Sequence, residues 1–454
     1  RTEGDYNFSS GSRGRGNLSS TANPYFLFPQ IYNFRYNIYS SEWPVANRAI
    51  ELYLQKKSEN EGWERQINGL SNNEKANLLL EKHTFKELLA DVEQRNLQNN
   101  IVGLEASRLF ARSEINMGVD AFRDSLYAML KRNTFLNIKF ENMLDTLGEM
   151  SRTDLYSYLK EWEQLTPLPF YSIGEPELTK VVNKGGEEFF VLKVLVSNNS
   201  DYDGIIQMNV LQNGWWYQPM EDPRARKKVE IAAHTSKEFV SVWEEQIRDV
   251  EINTMVSGNL PYMIRQSIGN VKQERNKIVK DTIYTLPESS LEMPGEVIVD
   301  NEDSTLFVLS TPAVVGLLPK WLDKVEDTSF KYSGISWWRA PLQWTATTNA
   351  KYYGKYIRSA YVIKSGDGSQ TATWKIPVPE AGQYELYYHV FKDDELRWND
   401  RLQGEYHFRV AYDSEMEDAY INLRKANEGW EQLGTYYFLS LIHISEPTRH
   451  SLIS

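Results

Sequence analysis

The segment that constrains this chain most is 344–438, because apolar and polar residues alternate there in several short runs. From Tyr384 to Val390 every second residue is apolar or aromatic, and the run from Glu405 to Val410 repeats the pattern. Thr371 to Ile376 is a third candidate strand, and Pro377 follows it directly. Such alternation is typical of strands with one buried face. The segment therefore predicts an antiparallel β-sandwich.

This segment resembles the C-terminal domain shared by golvesin and xanthan lyase-type bacterial proteins. The resemblance is carried by four motifs that follow the family's order, namely Tyr353-Gly354, Ser365 to Trp374, Pro379 to Tyr384 and Trp430 to Tyr436. It implies an extracytoplasmic accessory β-sandwich that binds carbohydrate or a surface. It does not imply catalysis, since a fold-level analogy assigns neither a reaction nor a ligand.

The bulk composition excludes several classes of function. A chain of 454 residues is long enough for two to four domains. A formal net charge of −12 argues against a general nucleic-acid binder. The absence of cysteine excludes disulfides, thiol catalysis and Cys-ligated zinc. The sequence has no run of about 18 apolar residues, so we expect no transmembrane helix.

The two ends of the sequence differ in character from the rest of the chain. Residue 1 is Arg rather than an initiator Met, so we expect a fragment of a longer protein. Residues 1–23 are rich in Gly, Ser, Arg and Asn, which predicts a flexible lead-in. Residues 439–454 resemble translated sequencing-adapter read-through and are predicted to be a non-native tail; a genuine irregular tail is the alternative.

Residues 24–169 show helical patterning and predict an α-helical bundle. Thr84 to Glu87 has the form of a capping box, which predicts a helix start. The region resembles the post-catalytic helical part of M1-type zinc aminopeptidases, through LEASRLFARSEINMGVDAFRDSLYAMLKRN, FENMLDTLGEMSRTDLYSYLKEW and LPFYSIGE. In that family a similar tail leads into a β-sandwich.

The M1 resemblance is incomplete in this sequence. Leu104-Glu-Ala-Ser107 stands where the family usually has a Tyr-x-Lys-Gly-like element, and no His-Glu-x-x-His motif occurs. All six histidines are isolated, so no pair at i, i+4 can bind zinc from one helical face. We therefore expect no catalytic residue, metal or other cofactor in this chain. Zinc would belong to a missing upstream part of the parent protein.

Residues 170–310 predict an Ig-like sandwich, because strand-like runs from Glu188 to Val196 and from Ile205 to Val210 flank a turn at Asp201 to Gly204. Residues 311–343 predict a connector. The predicted fold class is thus multidomain α + β, with an N-terminal helical bundle followed by two antiparallel β-sandwiches. The final sandwich spans 344–438.

The candidate ligand-binding residues belong to the last predicted domain. If the strands at Glu385–His389 and Glu405–Arg409 pair, their outward side chains form an aromatic and polar platform of the type that stacks sugars. The candidates are Tyr352, Tyr353, Tyr387, His389, Trp398, His407 and Arg409. A solvated sheet face and a two-histidine metal site are the alternatives.

Two charged segments offer weaker sites. Asp300 to Asp303 has oxygen ligands suited to Ca²⁺ but lacks EF-hand spacing, so a solvated turn is favoured. For Asp201-Tyr-Asp203 a solvated turn is likewise favoured over a Ca²⁺ site. Pro223 to Lys228 would suit an anionic polymer or a lipid headgroup, and a charged hairpin tip is favoured in so acidic a chain.

The sequence therefore predicts a non-catalytic accessory portion of a larger exported bacterial protein, located in the periplasm, at the cell surface or outside the cell. Its expected partner is a polysaccharide or a cell-surface component, with no nucleic acid. Whether the parent is an enzyme stays open. The alternatives are the C-terminal part of an M1-like aminopeptidase and a structural cell-surface protein.

Overall fold

The structure is a computed structural model that describes most of the chain after residue 36. The described residues are 37–55, 61–165, 167–211, 222–275, 279–289, 291, 295–310, 330–335, 340–364, 366, 368–392, 404–412, 415–439 and 442–447. They form a mixed α + β protein. Among them, no helix combines the length and apolar character needed to cross a bilayer.

The chain divides into two compact units. The first unit contains residues 1–60 and 72–290, and the second contains 61–71 and 291–454. Besides the predicted sandwich at 344–438, the second unit therefore contains 61–71, which was expected in the helical domain, and 291–310, which was expected in the first sandwich.

The helices of the first unit pack around one long central helix. In chain order, with the second-unit helix α2 included for numbering, they are α1 Ala46–Leu54, α2 Glu61–Asn68, α3 Asn72–Leu80, α4 Phe85–Ala90, α5 Gln98–Met117, α6 Val119–Arg132, α7 Phe140–Ser151 and α8 Leu155–Lys160. Helix α5 contacts α1, α3, α4, α6, α7 and α8. The capping box is confirmed: Thr84 accepts from the Glu87 amide, and Glu87 accepts from the Thr84 amide. Short parallel strands β1 Asn37–Tyr39 and β2 Asn137–Lys139 pair beside the helices.

The β part of the first unit has two larger sheets. Its strands are β3 Tyr171–Ile173, β4 Glu177–Val182, β5 Glu188–Asn198, β6 Gly204–Leu211, β7 Arg226–Ile231, β8 Thr235–Trp243, β9 Asp249–Asn253, β10 Met263–Ser267, β11 Val271–Arg275 and β12 Thr282–Pro287. One sheet has the order β10-β9-β6-β7 and the other β11-β4-β5-β8-β12, with β3 also on β5. Both contribute to one hydrophobic cluster, in which Met208 and Phe239 are buried. The Ig-like sandwich remains a prediction.

Charged contacts join α5 to strand β7 within the first unit. Lys228 of β7 forms an ion pair with Glu114 of α5, and both side chains are almost fully buried. Glu114 also accepts a hydrogen bond from the Tyr53 hydroxyl at 2.8 Å. Closer to solvent, Arg112 Nη2 lies 2.7 Å from Glu230 Oε1. The helices and sheets of this unit are therefore linked by electrostatic contacts as well as by apolar packing.

His234 lies between two carboxylates in an exposed turn of the first unit. It has a φ of +52° in the turn between β7 and β8, and its Nε2 and Nδ1 lie 2.8 Å and 2.7 Å from Asp201 Oδ1 and Glu288 Oε2. Asp203 Oδ1 accepts a hydrogen bond from the Ala233 amide in the same turn. Hydrogen bonding to Asp201 and then to Glu288 raises the pKa of His234 above its usual 6.5.

Because the folded-state pKa of His234 is raised, its stabilising contribution is complete below about pH 6.5 and is lost as pH rises through the folded-state pKa. We expect the difference in Tm between the wild type and His234→Gln to be largest near pH 6 and to shrink toward pH 9. Thermal unfolding across this range measures it. A difference that grows with pH would contradict the assignment.

The second unit combines α2 with strands β13 to β21. These strands are β13 Phe307–Leu309, β14 Thr345–Thr348, β15 Ser359–Val362, β16 Thr371–Ile376, β17 Gly382–Val390, β18 Glu405–Tyr412, β19 Glu415–Asn422, β20 Gly429–Phe438 and β21 Ile442–Pro447. One sheet has the order β13-β16-β21-β18-β19, while β14-β15 and β17-β20 form two-stranded antiparallel sheets. Side chains of the β17–β20 ribbon and of the five-stranded sheet share one core, with Tyr388 and Phe408 rings 4.8 Å apart. The strand-rich C-terminal region is confirmed, and its sandwich arrangement remains a prediction.

Strand β21 lies within the predicted non-native tail. Its backbone pairs with β16 on one side and with β18 on the other, and Ile444 is buried in the core. A backbone ladder accepts many extended sequences, because its hydrogen bonds come from the main chain. The pairing therefore shows where this segment lies in the sheet. That its sequence is non-native stays a prediction, which genomic sequencing would test.

Candidate functional site

The predicted platform is divided between two sheets. Strand β17 pairs with β20, whereas β18 pairs with β19 and β21. The expectation that β17 and β18 pair was therefore wrong. Alternation determines which side chains share a face of one strand, but it does not select the partner strand. Tyr387 and His389 consequently lie on the ribbon, and His407 and Arg409 lie on the five-stranded sheet.

The ribbon presents a row of side chains on the side opposite its core residues, which we call the outer ribbon face. The cross-strand pairs that define it are Gln383–Tyr437, Glu385–Thr435, Tyr387–Gln432 and His389–Trp430. Three of its aromatic side chains are exposed, with Tyr387 at 43 %, Trp430 at 47 % and Tyr437 at 59 % of their full accessible area. Since large exposed aromatics mark interaction surfaces, this face is the best candidate site.

One end of the outer ribbon face is an aromatic cluster. The Trp430 ring lies 4.9 Å from the Tyr353 ring and 5.3 Å from the His389 ring, centroid to centroid. Tyr353 and His389 are 5.6 Å apart. Burial, followed by the positive charge of Arg358, lowers the pKa of His389 to about 4, so its ring is neutral at neutral pH. The cluster therefore orients Trp430 without adding a charge from His389.

The middle of the face is polar. The Tyr387 hydroxyl donates to Glu385 Oε2 at 2.5 Å, and this hydrogen bond raises the pKa of Tyr387. Gln432 Nε2 donates to Thr435 Oγ1 at 3.4 Å. Amide, hydroxyl and carboxylate groups beside aromatic rings are the combination that binds sugars, whose ring faces stack while their hydroxyls form hydrogen bonds.

Tyr352 does not belong to this surface. Its side chain is buried, and its ring lies 4.7 Å from the ring of Phe391. Sequence adjacency placed Tyr352 with Tyr353, but Tyr352 lies in a turn, where its amide donates to the Asn349 carbonyl oxygen at 3.1 Å, and consecutive residues of a turn need not share a surface. Trp398 lies outside the described residues.

His407 and Arg409 form a separate group with residues of β19. The His407 ring stacks on Tyr420 with centroids 4.6 Å apart and an interplanar angle of 5°. Asp418 Oδ1 lies 3.0 Å from His407 Nε2 and 3.5 Å from Arg409 Nε. His407, and after it Arg409, lowers the pKa of Asp418. This group joins neighbouring strands, as cross-strand pairs commonly do.

The metal alternatives concerned a pair of histidines and the acidic turn at Asp300 to Asp303. The described residues contain no group of three or more His, Cys, Asp or Glu side chains that could hold a metal ion. Asp300 to Asp303 forms a turn in which the Asp300 amide donates to Asp303 Oδ2 at 2.8 Å, and burial raises the pKa of Asp300 to about 7. Glu302 binds Lys331, Tyr332 and Ser359 of the same unit.

Two of the four cations in the basic segment Pro223 to Lys228 are engaged by carboxylates of the protein. Arg224 pairs with Asp222 at 2.7 Å and with Asp281 at 3.0 Å. Lys228 is buried against Glu114. Pairing of these two cations leaves the exposed Arg226 and Lys227 to meet an anionic polymer, so the segment is a weaker candidate than its composition suggested.

Sequence reasoning missed Trp430 and Tyr437 as site residues. Both lie in β20, where the outward positions at Trp430 and Gln432 and those at Thr435 and Tyr437 each follow period-two spacing. Trp430 was noticed only as part of a family motif. The alternation within β20 was available in the sequence, but its pairing with β17 was not.

Comparison with known proteins agrees with the sequence resemblance for this region. Residues 338–444 match the family model of the golvesin C-terminal domain. The match contains the whole outer ribbon face and indicates an accessory, non-catalytic domain of a larger protein. No curated protein matches the chain.

Proposed function

We propose that this chain is an accessory binding portion of a larger exported bacterial protein, and that its golvesin-type domain attaches the parent to a polysaccharide. The observation that carries the proposal is the row of three exposed aromatic side chains on one face of the ribbon, with polar groups between them. The proposal includes an extracytoplasmic location, which is supported by the golvesin-type domain, because such domains are typically found in extracellular proteins.

The first test is retention of the full chain on polysaccharide gels by affinity electrophoresis. Burial of an aromatic ring against a sugar contributes about 1.5–3 kcal/mol, so Trp430→Ala is expected to weaken retention roughly tenfold to a hundredfold. Tyr284→Ala is the matched control, because Tyr284 is an equally exposed aromatic on strand β12 of the first unit.

The control should bind as the wild type does. Because Trp430 also contacts Tyr353, thermal unfolding of each variant checks that the domain remains folded. Two results would contradict the proposal: a wild-type chain that no neutral or acidic polysaccharide retains, and a folded Trp430→Ala variant with undiminished retention.

We propose as a second candidate that the parent is an M1-like zinc aminopeptidase. Its support is that the helices and the following β-sheets belong to one compact unit, joined by the Lys228–Glu114 ion pair. Sequencing the gene upstream of residue 1 tests this candidate. A His-Glu-x-x-His motif with a downstream zinc-ligand Glu supports it, and an open reading frame without that motif rejects it.

A further inference from the structure

We infer that the ligand of the outer ribbon face is an extended polysaccharide of uncharged sugars that lies along β20. This inference rests on the proposed function and specifies its ligand. It is carried by two independent properties of the face, which are the spacing of its aromatic rings and the charge of its polar groups.

The spacing of the rings favours a long ligand. Trp430 and Tyr437 pair with His389 and Gln383, which are six residues apart on β17, so the span is about 20 Å at roughly 3.3 Å per residue. Tyr387 lies between them, since its cross-strand partner is Gln432. A single sugar ring can cover only one of these aromatic rings. Simultaneous contact with all three requires a chain of several sugars.

The charge of the face disfavours acidic sugars. Among the eight residues that define it, Glu385 is the charged side chain at neutral pH, and neither Lys nor Arg occurs. Carboxylated or sulfated sugars are usually bound by Arg or Lys, which offset the cost of desolvating the anion. Here an acidic ligand would meet the Glu385 carboxylate instead. Neutral hydroxyls, by contrast, can donate hydrogen bonds to that carboxylate.

Two cations near the Trp430 end, Lys351 and Arg358, are engaged by protein groups. Lys351 Nζ lies 3.8 Å from Glu428 Oε2, and Arg358 Nη1 donates to the Ala350 carbonyl oxygen at 2.7 Å. His389 is neutral at neutral pH. Recruiting Lys351 or Arg358 for an acidic sugar would therefore require breaking a contact that the folded protein already makes.

The test compares neutral and acidic glycans on the full chain. Calorimetric titration uses neutral glucans, mannans and galactans as polymers and as oligosaccharides of increasing length, with alginate and polygalacturonate as acidic probes. We expect one neutral class to bind, with affinity that rises with length and then reaches a plateau. We also expect Tyr437→Ala to bring that plateau to a shorter length, and 0.5 M NaCl to change the affinity less than twofold.

The possible failures separate the inference from the proposed function. Preference for acidic polymers that is lost in Trp430→Ala would overturn the inference and leave polysaccharide binding intact. A disaccharide that binds as tightly as its polymer would overturn the extended ligand in the same way. Absence of any Trp430-dependent binding would overturn both.

Discussion

Replacing Lys228 with alanine is expected to lower the free energy of unfolding of the first unit by about 3–5 kcal/mol, because the change leaves the Glu114 carboxylate buried without its cation. The side chains of Lys228 and Glu114 retain only 7 % and 1 % of their accessible area. Glu114 keeps the Tyr53 hydroxyl as a donor, but a neutral hydrogen bond does not compensate a buried charge. Removal of one partner therefore costs more than the pair itself contributes.

Calorimetry of the full chain measures this effect, which corresponds to a decrease in Tm of roughly 5–15 °C. Lys227→Ala is the matched control, since Lys227 is exposed and precedes Lys228 on the same strand. It should change stability by less than about 0.5 kcal/mol. The double variant Glu114→Gln with Lys228→Met should recover most of the loss, because neither buried charge remains. Equal stability of Lys228→Ala and Lys227→Ala would show that the ion pair is not buried in solution.

Gly69→Ala is expected to destabilise the second unit by about 2–5 kcal/mol. Gly69 has a φ of +80°, where a residue with a Cβ costs about 1–2 kcal/mol. Its added Cβ would also lie 2.2 Å from the backbone of Ser333, and overpacking of this kind costs about 1–3 kcal/mol more. Gly334 lies equally close to the other segment, since a Cβ added to it would lie 1.9 Å from the Ile67 carbonyl oxygen. These contacts join segment 61–71 to segment 330–335 within this unit.

Gly295→Ala separates the cost of the positive φ from the cost of the steric overlap. Gly295 belongs to the same unit and has a φ of +86°, but nothing lies within 4 Å of its added Cβ. We expect it to lose only the backbone contribution of about 1–2 kcal/mol. Thermal unfolding of both variants provides the comparison. If Gly69→Ala is no less stable than Gly295→Ala, the close approach between Gly69 and Ser333 is absent in solution.

Local sequence signals predicted much of the fold. Alternation identified β17 and β18 together with their inward and outward side chains, and Thr84 and Glu87 predicted a helix start. These features depend on residues within a few positions of one another. The arrangement of the strands depends on distant residues: β17 pairs with β20, some 45 positions later, across an irregularity after Leu386. For the same reason, the sequence did not predict that Gly69 packs against Ser333.

The candidate site was predicted in part. Tyr387 and His389 lie on the outer ribbon face, as the alternation of β17 indicated, and Tyr353 lies beside it against His389. His407 and Arg409 were expected there because the alternation of β18 resembles that of β17, and their true neighbours on β19 are specified only by tertiary pairing. The sequence does not show whether an aromatic side chain points outward or inward. Tyr352 was therefore included, although its ring packs inside the domain.

Hydroxyl-radical footprinting of the full chain, with and without a retained polysaccharide, tests directly whether the outer ribbon face binds the polysaccharide. This measurement reports the reactivity of each exposed aromatic side chain without any substitution. We expect bound polysaccharide to protect Tyr387, Trp430 and Tyr437, and to leave Tyr284 and Tyr420 as reactive as in the free protein. Protection of Tyr420 or Tyr284 with no change at Trp430 and Tyr437 would contradict the outer ribbon face as the binding site.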